Sequence, residues 1–175
     1  MLFCVIITVL MSIFKKIYLK SGWFMDDMDR KIVSLLQVEG RVSCEKIGSS
    51  IGLSVSAVNE RIKKLQKQGI ITGWGAQISP QKIGFDILSF VQILLGETSN
   101  ENIFLAKIET IPEVLECHHI TGEWSYLIKV RCRNIQHFEQ VLGEKIKTIP
   151  GILRTHTLIA LSSPLERTIL PLDLS

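Results

Sequence analysis

The four cysteines, Cys4, Cys44, Cys117 and Cys132, include no Cys-x-x-Cys pair, and nothing else in the chain asks for a disulfide framework. Free thiols of this kind fit a reducing cytoplasm. No apolar run reaches the ~20 residues that a membrane-spanning helix requires. The longest, Met1 to Phe14, is followed by Lys15, Lys16 and Lys20, whereas a secretory signal carries its charge first and ends in a small-residue cleavage site. Residues 1–25 are therefore read as an apolar extension whose start is assigned upstream of Met25 or Met28, with a weak membrane-surface anchor as the alternative. No Gly-rich phosphate loop, nucleophile–base set or carboxylate pair stands in a recognisable setting, so the chain is expected not to be an enzyme and to need no cofactor. Cys117-His118-His119 offers metal-ligand types, but neighbouring strand residues point to opposite faces and cannot close on one ion, so no metal is expected.

What is present is a packed, asymmetrically charged chain. Hydrophobic residues make up 46 % of its 175 residues, which excludes a disordered polypeptide. The net charge of +3 hides a split. Arg41 to Lys82 holds seven basic and two acidic residues, while Ile83 to Ser175 holds eight basic and eleven acidic. Only the first stretch is suited to a polyanion.

Helical periodicity starts at Asp26. Asp26 or Asp27 caps a first helix whose apolar stripe is Met28, Ile32, Leu35 and Leu36, and Gly40 ends it. Ser43 caps a short second helix with Cys44, Ile47 and Ile51 on one side. Gly52-Leu53-Ser54 turns the chain, and Ser54 caps a third helix, Val55 to about Gln68, with Val55, Val58, Ile62 and Leu65 inward. Ile70-Ile71 and Ala76 to Ile78 flank Thr72-Gly73-Trp74-Gly75 and predict a short hairpin or wing, in which Trp74 is a packing residue. Three helices with a three-residue turn before the third make a winged helix-turn-helix over 26–78. Its third helix presents small and amide side chains first and cations later, an order suited to base edges and then phosphates. The expected DNA-contacting residues are Arg41, Ser43, Ser54, Ser56, Asn59, Glu60, Arg61, Lys63 and Lys64, with Lys63 and Lys64 acting alike on phosphate.

Residues 79–84 read as a linker, and 85–172 as a second domain. Strands are predicted at Ile87–Leu95, Val114–Thr121, Tyr126–Cys132 and Ile152–Leu161. Helices are predicted at Asn100–Thr110 and Asn134–Lys147, the latter burying Ile135, Phe138, Leu142 and Ile146. The order βαββαβ is that of a ferredoxin-like fold, one antiparallel sheet with both helices on one face, so the chain as a whole is α+β. The other face needs a cover, and a second copy of the chain is the simplest.

In this order and spacing, several short stretches are together specific. They are Met28-Asp29-Arg30-Lys31-Ile32, Gly40-Arg41-Val42-Ser43, Ile51-Gly52-Leu53-Ser54-Val55-Ser56 and Arg61-Ile62-Lys63-Lys64-Leu65 with Gly69-Ile70-Ile71. Glu116-Cys117-His118, Thr121-Gly122, Ile149-Pro150-Gly151-Ile152 and Thr155-His156-Thr157 follow. Through them, from Asp26 to about Leu172, the chain resembles the Lrp/AsnC (feast/famine) family of transcriptional regulators. The resemblance implies double-stranded DNA as a partner, dimers assembling to octamers through the second (RAM) domain, and an amino acid or similar small metabolite as effector. In that family the effector loop reads Gly-x-x-Asp-Tyr/Phe; here it is Gly122-Glu123-Trp124-Ser125-Tyr126, with Ser125 in place of the acid. Gly122, Glu123, Trp124, Ser125, Tyr126 and Thr157 are the implied effector contacts, Trp124 as an interface anchor or ligand wall. The alternative is an enzyme of the same two-domain architecture. Sirohaem decarboxylases are similar to this family, and His118, His119, Arg131 and His156 are the residues such a site would draft.

Overall fold

A computed structural model describes residues 25–96 and 100–172. They form two units, one reaching to Ala76 and completed by residues from Arg167 onward, the other running from Gln77 to Glu166. The expectations for residues 1–24 lie outside the described residues.

In the first unit, helices α1 (Asp27–Val38), α2 (Cys44–Ile51) and α3 (Val55–Lys67) are each started by a side-chain cap. Asp26, Ser43 and Ser54 accept from the backbone amides of Asp29, Lys46 and Ala57. Each cap satisfies a donor that the first helical turn leaves unpaired. Ile32, Ile47, Val58 and Leu65 are fully buried at the centre. At about 1.5–3 kcal/mol per large apolar side chain, these four give the small bundle much of its cohesion. Val55, expected inward, is instead 47 % exposed, because it is the first residue of α3 and lies outside the packed turn.

The α2–α3 turn is tight for a reason the periodicity did not reveal. Gly48 is buried, and a Cβ there would run into the backbone carbonyl oxygen of Leu53. Gly52 (φ 75°) then lets the Leu53 amide reach back to the Gly48 carbonyl at 2.9 Å. At the far end of α3, Gly69 (φ 71°) closes the same kind of cap, with the Ile70 and Gly69 amides donating to Leu65 and Gln66. Ile71 also donates to the Leu65 carbonyl. Those bonds spend the amides at the start of the expected hairpin, and no strand forms among the described residues 70–78. The wing is thus absent from this chain taken singly, and Trp74, expected to pack, is 52 % exposed. The tail closes the unit. The side-chain amide of Gln37 on α1 donates to the Leu170 carbonyl at 3.2 Å and accepts from the Leu170 amide at 2.8 Å, as a neighbouring strand would.

The second unit is a four-stranded antiparallel sheet in the order β2-β3-β1-β4. Its strands are β1 (Ile87–Leu95), β2 (Val114–His119), β3 (Tyr126–Cys132) and β4 (Ile152–Ile159). Helix α4 (Glu101–Glu109) and a second helical segment cover one face, giving the expected ferredoxin-like arrangement. Val91, Ile93, Tyr126, Ile128, Val130 and Cys132 point toward Phe104, Ile108, Phe138 and Val141. The second helix is not uniform. α5 (Ile135–Gln140) runs into a π turn, Val141–Ile146, where the Lys147 amide donates to Leu142. The extra residue shifts the stripe after Val141, so that Val141 and then Ile146 are buried; Ile135, expected inward, is 47 % exposed because it is the first residue of α5.

Candidate functional site

The angular order of side chains on α3 decides which of them face outward. At about 100° per residue, Ser56, Lys63 and Lys67 lie within roughly 80° of Asn59, while Arg61 and Lys64 lie some 140–200° away. Ser56, Asn59, Lys63 and Lys67 are all exposed. The Ser54 hydroxyl, besides capping α3, is 3.1 Å from the Ser56 hydroxyl. Asn59 accepts from the Cys44 thiol of α2 at 3.1 Å, which orients its amide. Glu60 and Lys63 form a loose, exposed pair at 3.6 Å. Arg41 is exposed, and Ser43 spends its oxygen on the α2 cap.

Arg61 is committed elsewhere. Its Nη1 stands 2.6 Å from both Asp26 Oδ2 and Asp29 Oδ1 at the start of α1. The guanidinium, with help from the Asp29 backbone amide, holds the Asp26 carboxyl below its usual range, and the two carboxylates raise Arg61, Asp26 most. Lys64 leans the same way, with Nζ 3.4 Å from Asp29 Oδ2. Lys63 and Lys64, expected to act alike on phosphate, thus have different neighbours, Glu60 for Lys63 and Asp29 for Lys64. Asp29 is only 1 % exposed, a burial that the apolar stripe of α1 does not announce. A carboxylate at the third helical position facing an arginine was the available signal.

The second candidate site is the loop between β2 and β3. Gly122 (φ 109°) bends it. Ser125 ties it to the end of β1: its amide donates to Ile93 at 2.9 Å, its hydroxyl accepts from the Leu95 amide at 3.1 Å, and its carbonyl accepts from Ile120. Trp124 stacks on His156 at 5.9 Å between ring centroids, and the Arg154 guanidinium lies over its ring at 4.7 Å. Arg154 also pairs with Glu123, and His156 Nδ1 is 2.9 Å from Gln92 Oε1. The loop therefore brings Glu123 and Trp124 together with Arg154, His156 and Gln92, which the sequence had not linked to it. Tyr126 is buried against Phe104 and stacks on His119. Thr157 is paired with Val91 and shares the helix-covered face, so it is not gathered with Trp124 and His156.

The residues drafted for an enzyme do not converge. His118 pairs with Glu116, His119 stacks on Tyr126, and Arg131 is 5 % exposed with its guanidinium held by Glu166 at 3.0 and 3.1 Å. Among the described residues no group of three or more His, Cys, Asp or Glu is placed to hold a metal, and no helix is long and apolar enough to cross a membrane.

Comparison with known proteins gives a consistent result. Residues 25–66 match the AsnC-type helix-turn-helix domain, and residues 88–170 match the Lrp/AsnC ligand binding domain. The regulatory protein AsnC of Escherichia coli (strain K12) is 37 % identical over 150 residues, covering 86 % of this chain and 99 % of that one. A Neisseria meningitidis transcriptional regulator solved as an L-Met complex superposes with a TM-score of 0.81 at 26 % identity, over 86 % of this chain and 98 % of that one. A feast or famine regulatory protein from M. tuberculosis, complexed with L-methionine, gives 0.76 at 33 % identity, over 82 % and 96 %.

Proposed function

This chain belongs to the Lrp/AsnC family of transcriptional regulators, and from that premise we propose that it regulates transcription as a homo-oligomer that reads duplex DNA with α3 and responds to a small effector. The observation that carries the DNA-reading role is the exposed face of α3. Ser56 and Asn59 stand at its capped end, and Lys63 and Lys67 follow one and two turns on, the order in which base edges and phosphates are met in a major groove. Pairing of two copies would present two such helices to successive half-sites. The sheet face away from the helices supports that pairing, since it carries Leu88, Phe90, Leu94, Leu127 and Leu158, and Leu158 is 47 % exposed.

For the effector we propose an amino acid or a close structural relative, received at the loop around Gly122 to Tyr126. Two structural neighbours are solved with L-methionine, which supports the class. Trp124 and the Arg154 guanidinium supply an apolar wall and a carboxylate partner. An effector shifts DNA affinity only by binding one assembly state better than another, and couplings of about 1–3 kcal/mol change affinity roughly 5–150-fold. The test is a gel-shift titration on the protein's own upstream region, repeated with each amino acid. Sequence-selective retardation altered by at least one of them is expected; retardation no stronger than on random duplex would reject the reading.

A further inference from the structure

The α1–α3 contact turns on one nearly buried carboxylate. Asp29 uses its two oxygens on two different cations of α3, Oδ1 on Arg61 at 2.6 Å and Oδ2 on Lys64 at 3.4 Å. Those cations are three residues apart, so they stand one above the other on the same side of α3. A carboxylate gripping both fixes α3 against rotation about its axis and against sliding along it. Asp26 adds a second grip on the same Arg61 nitrogen at 2.6 Å, and Asp26 itself caps α1. The bracket therefore joins the starting turn of α1 to the middle of α3. Arg61, its centre, lies about 140–160° around α3 from Ser56, Asn59 and Lys63, and Lys64 lies between Arg61 and Lys67, drawn toward Asp29.

We infer that Asp29 is the positioning residue of the recognition helix: with Asp26 it holds Arg61 and Lys64 as an internal bracket that sets the angle of α3, and leaves phosphate contact to Lys63 and Lys67. This rests on the DNA-reading function proposed above. A cation meeting phosphate contributes to the salt dependence of binding, about 0.9 of a unit of slope per contact. A group that only aims the helix contributes to discrimination between sequences and leaves the slope alone.

The experiment uses the full-length chain, a duplex enriched by that chain from a randomised pool, and poly(dI-dC) as the non-specific probe. Lys63→Gln and Lys67→Gln should each flatten the plot of log affinity against log salt by about 0.9 and keep the specific-to-non-specific ratio. Arg61→Gln and Asp29→Asn should lower that ratio at least tenfold with a slope no flatter than wild type. Arg61→Lys keeps the charge but loses the planar guanidinium, and should also lower the ratio. That variant serves if the neutral ones do not fold. Flattening by Arg61→Gln equal to that of Lys63→Gln would overturn the inference, as would an unchanged ratio in Arg61→Lys. Equal losses of specific and non-specific binding in Asp29→Asn, the mark of reduced folded protein alone, would overturn it too. If the wild-type chain enriched no duplex at all, the DNA-reading function itself would fall and take the bracket's role with it.

Discussion

Single atoms decide several properties of this protein. Gly48 has no room for a methyl group beside the Leu53 carbonyl, so Gly48→Ala should destabilise the helical unit by about 1–3 kcal/mol, seen as a lower Tm in thermal unfolding. The same substitution at exposed Gly73, where nothing would be met, should leave Tm unchanged or slightly raised. Cys132 is fully buried in the sheet core, and burial, with a smaller push from Glu113, raises its thiol to about 11. It should stay unmodified by iodoacetamide at about pH 8 in the native protein and react only after unfolding, as peptide mass mapping would show. Ser125 makes a third case. Its oxygen accepts from the Leu95 amide, a task a carboxylate oxygen can share while its second oxygen faces a ligand ammonium. Ser125→Asp should therefore bind L-methionine more tightly than wild type, by roughly 10–150-fold for a charge-assisted bond of about 1.5–3 kcal/mol. Equal heats of titration for the two proteins would show that position 125 only shapes the loop.

At the scale of elements, the π turn is tied to the sheet by charge. Lys145 Nζ reaches both oxygens of Glu113, just before β2, at 2.8 and 2.9 Å, and His137 of α5 approaches Oε1 at 3.2 Å. Burial alone would raise the Glu113 carboxyl, but the bonds from Lys145, from its own backbone amide and then from His137 outweigh it and hold it below the usual range. A lowered folded-state pKa contributes stability that is complete above the ordinary carboxylate range and disappears as pH falls through the lowered value. The Tm advantage of wild type over Glu113→Gln should therefore be largest near pH 7 and close toward about pH 3. A gap that persists at the acid end would mean that packing, not ionisation, is at work. Elements were legible where local chemistry was strong. Asp26, Ser43 and Ser54 announced their helices, and alternation along Tyr126 to Cys132 announced a strand and the face it buries. The hairpin at 70–78 misled because Ile70 and Ile71 have strand-like side chains, yet their amides complete the α3 cap. Ile135 misled because it is the first residue of its helix and lies outside the packed turns, and the π turn that buries Val141 left no mark in the apolar pattern. At the site, the outward face of α3 was readable from periodicity. The Asp29–Arg61 grip and the meeting of Trp124 with Arg154 and His156 were not, since each joins residues some thirty positions apart.

At the scale of the whole molecule, the sheet has one face without helices, the face proposed above to pair with a second copy. Leu158→Glu would place a charge amid Phe90, Lys129 and Leu127 on that face, and should shift sedimentation from oligomer toward monomer while preserving the circular dichroism of the fold. An unchanged sedimentation coefficient would place the interface elsewhere. The clasp between Gln37 and Leu170 has a different kind of consequence, one of timing. The two residues are 133 positions apart, so the unit that holds α1, α2 and α3 is finished by a stretch translated long after its helices. At about 5–20 residues per second, roughly 7–27 s of synthesis separate the two halves of that clasp. Until then the nascent three-helix bundle has its Gln37 side-chain amide turned to water, and only a chain translated past Leu170 can close it.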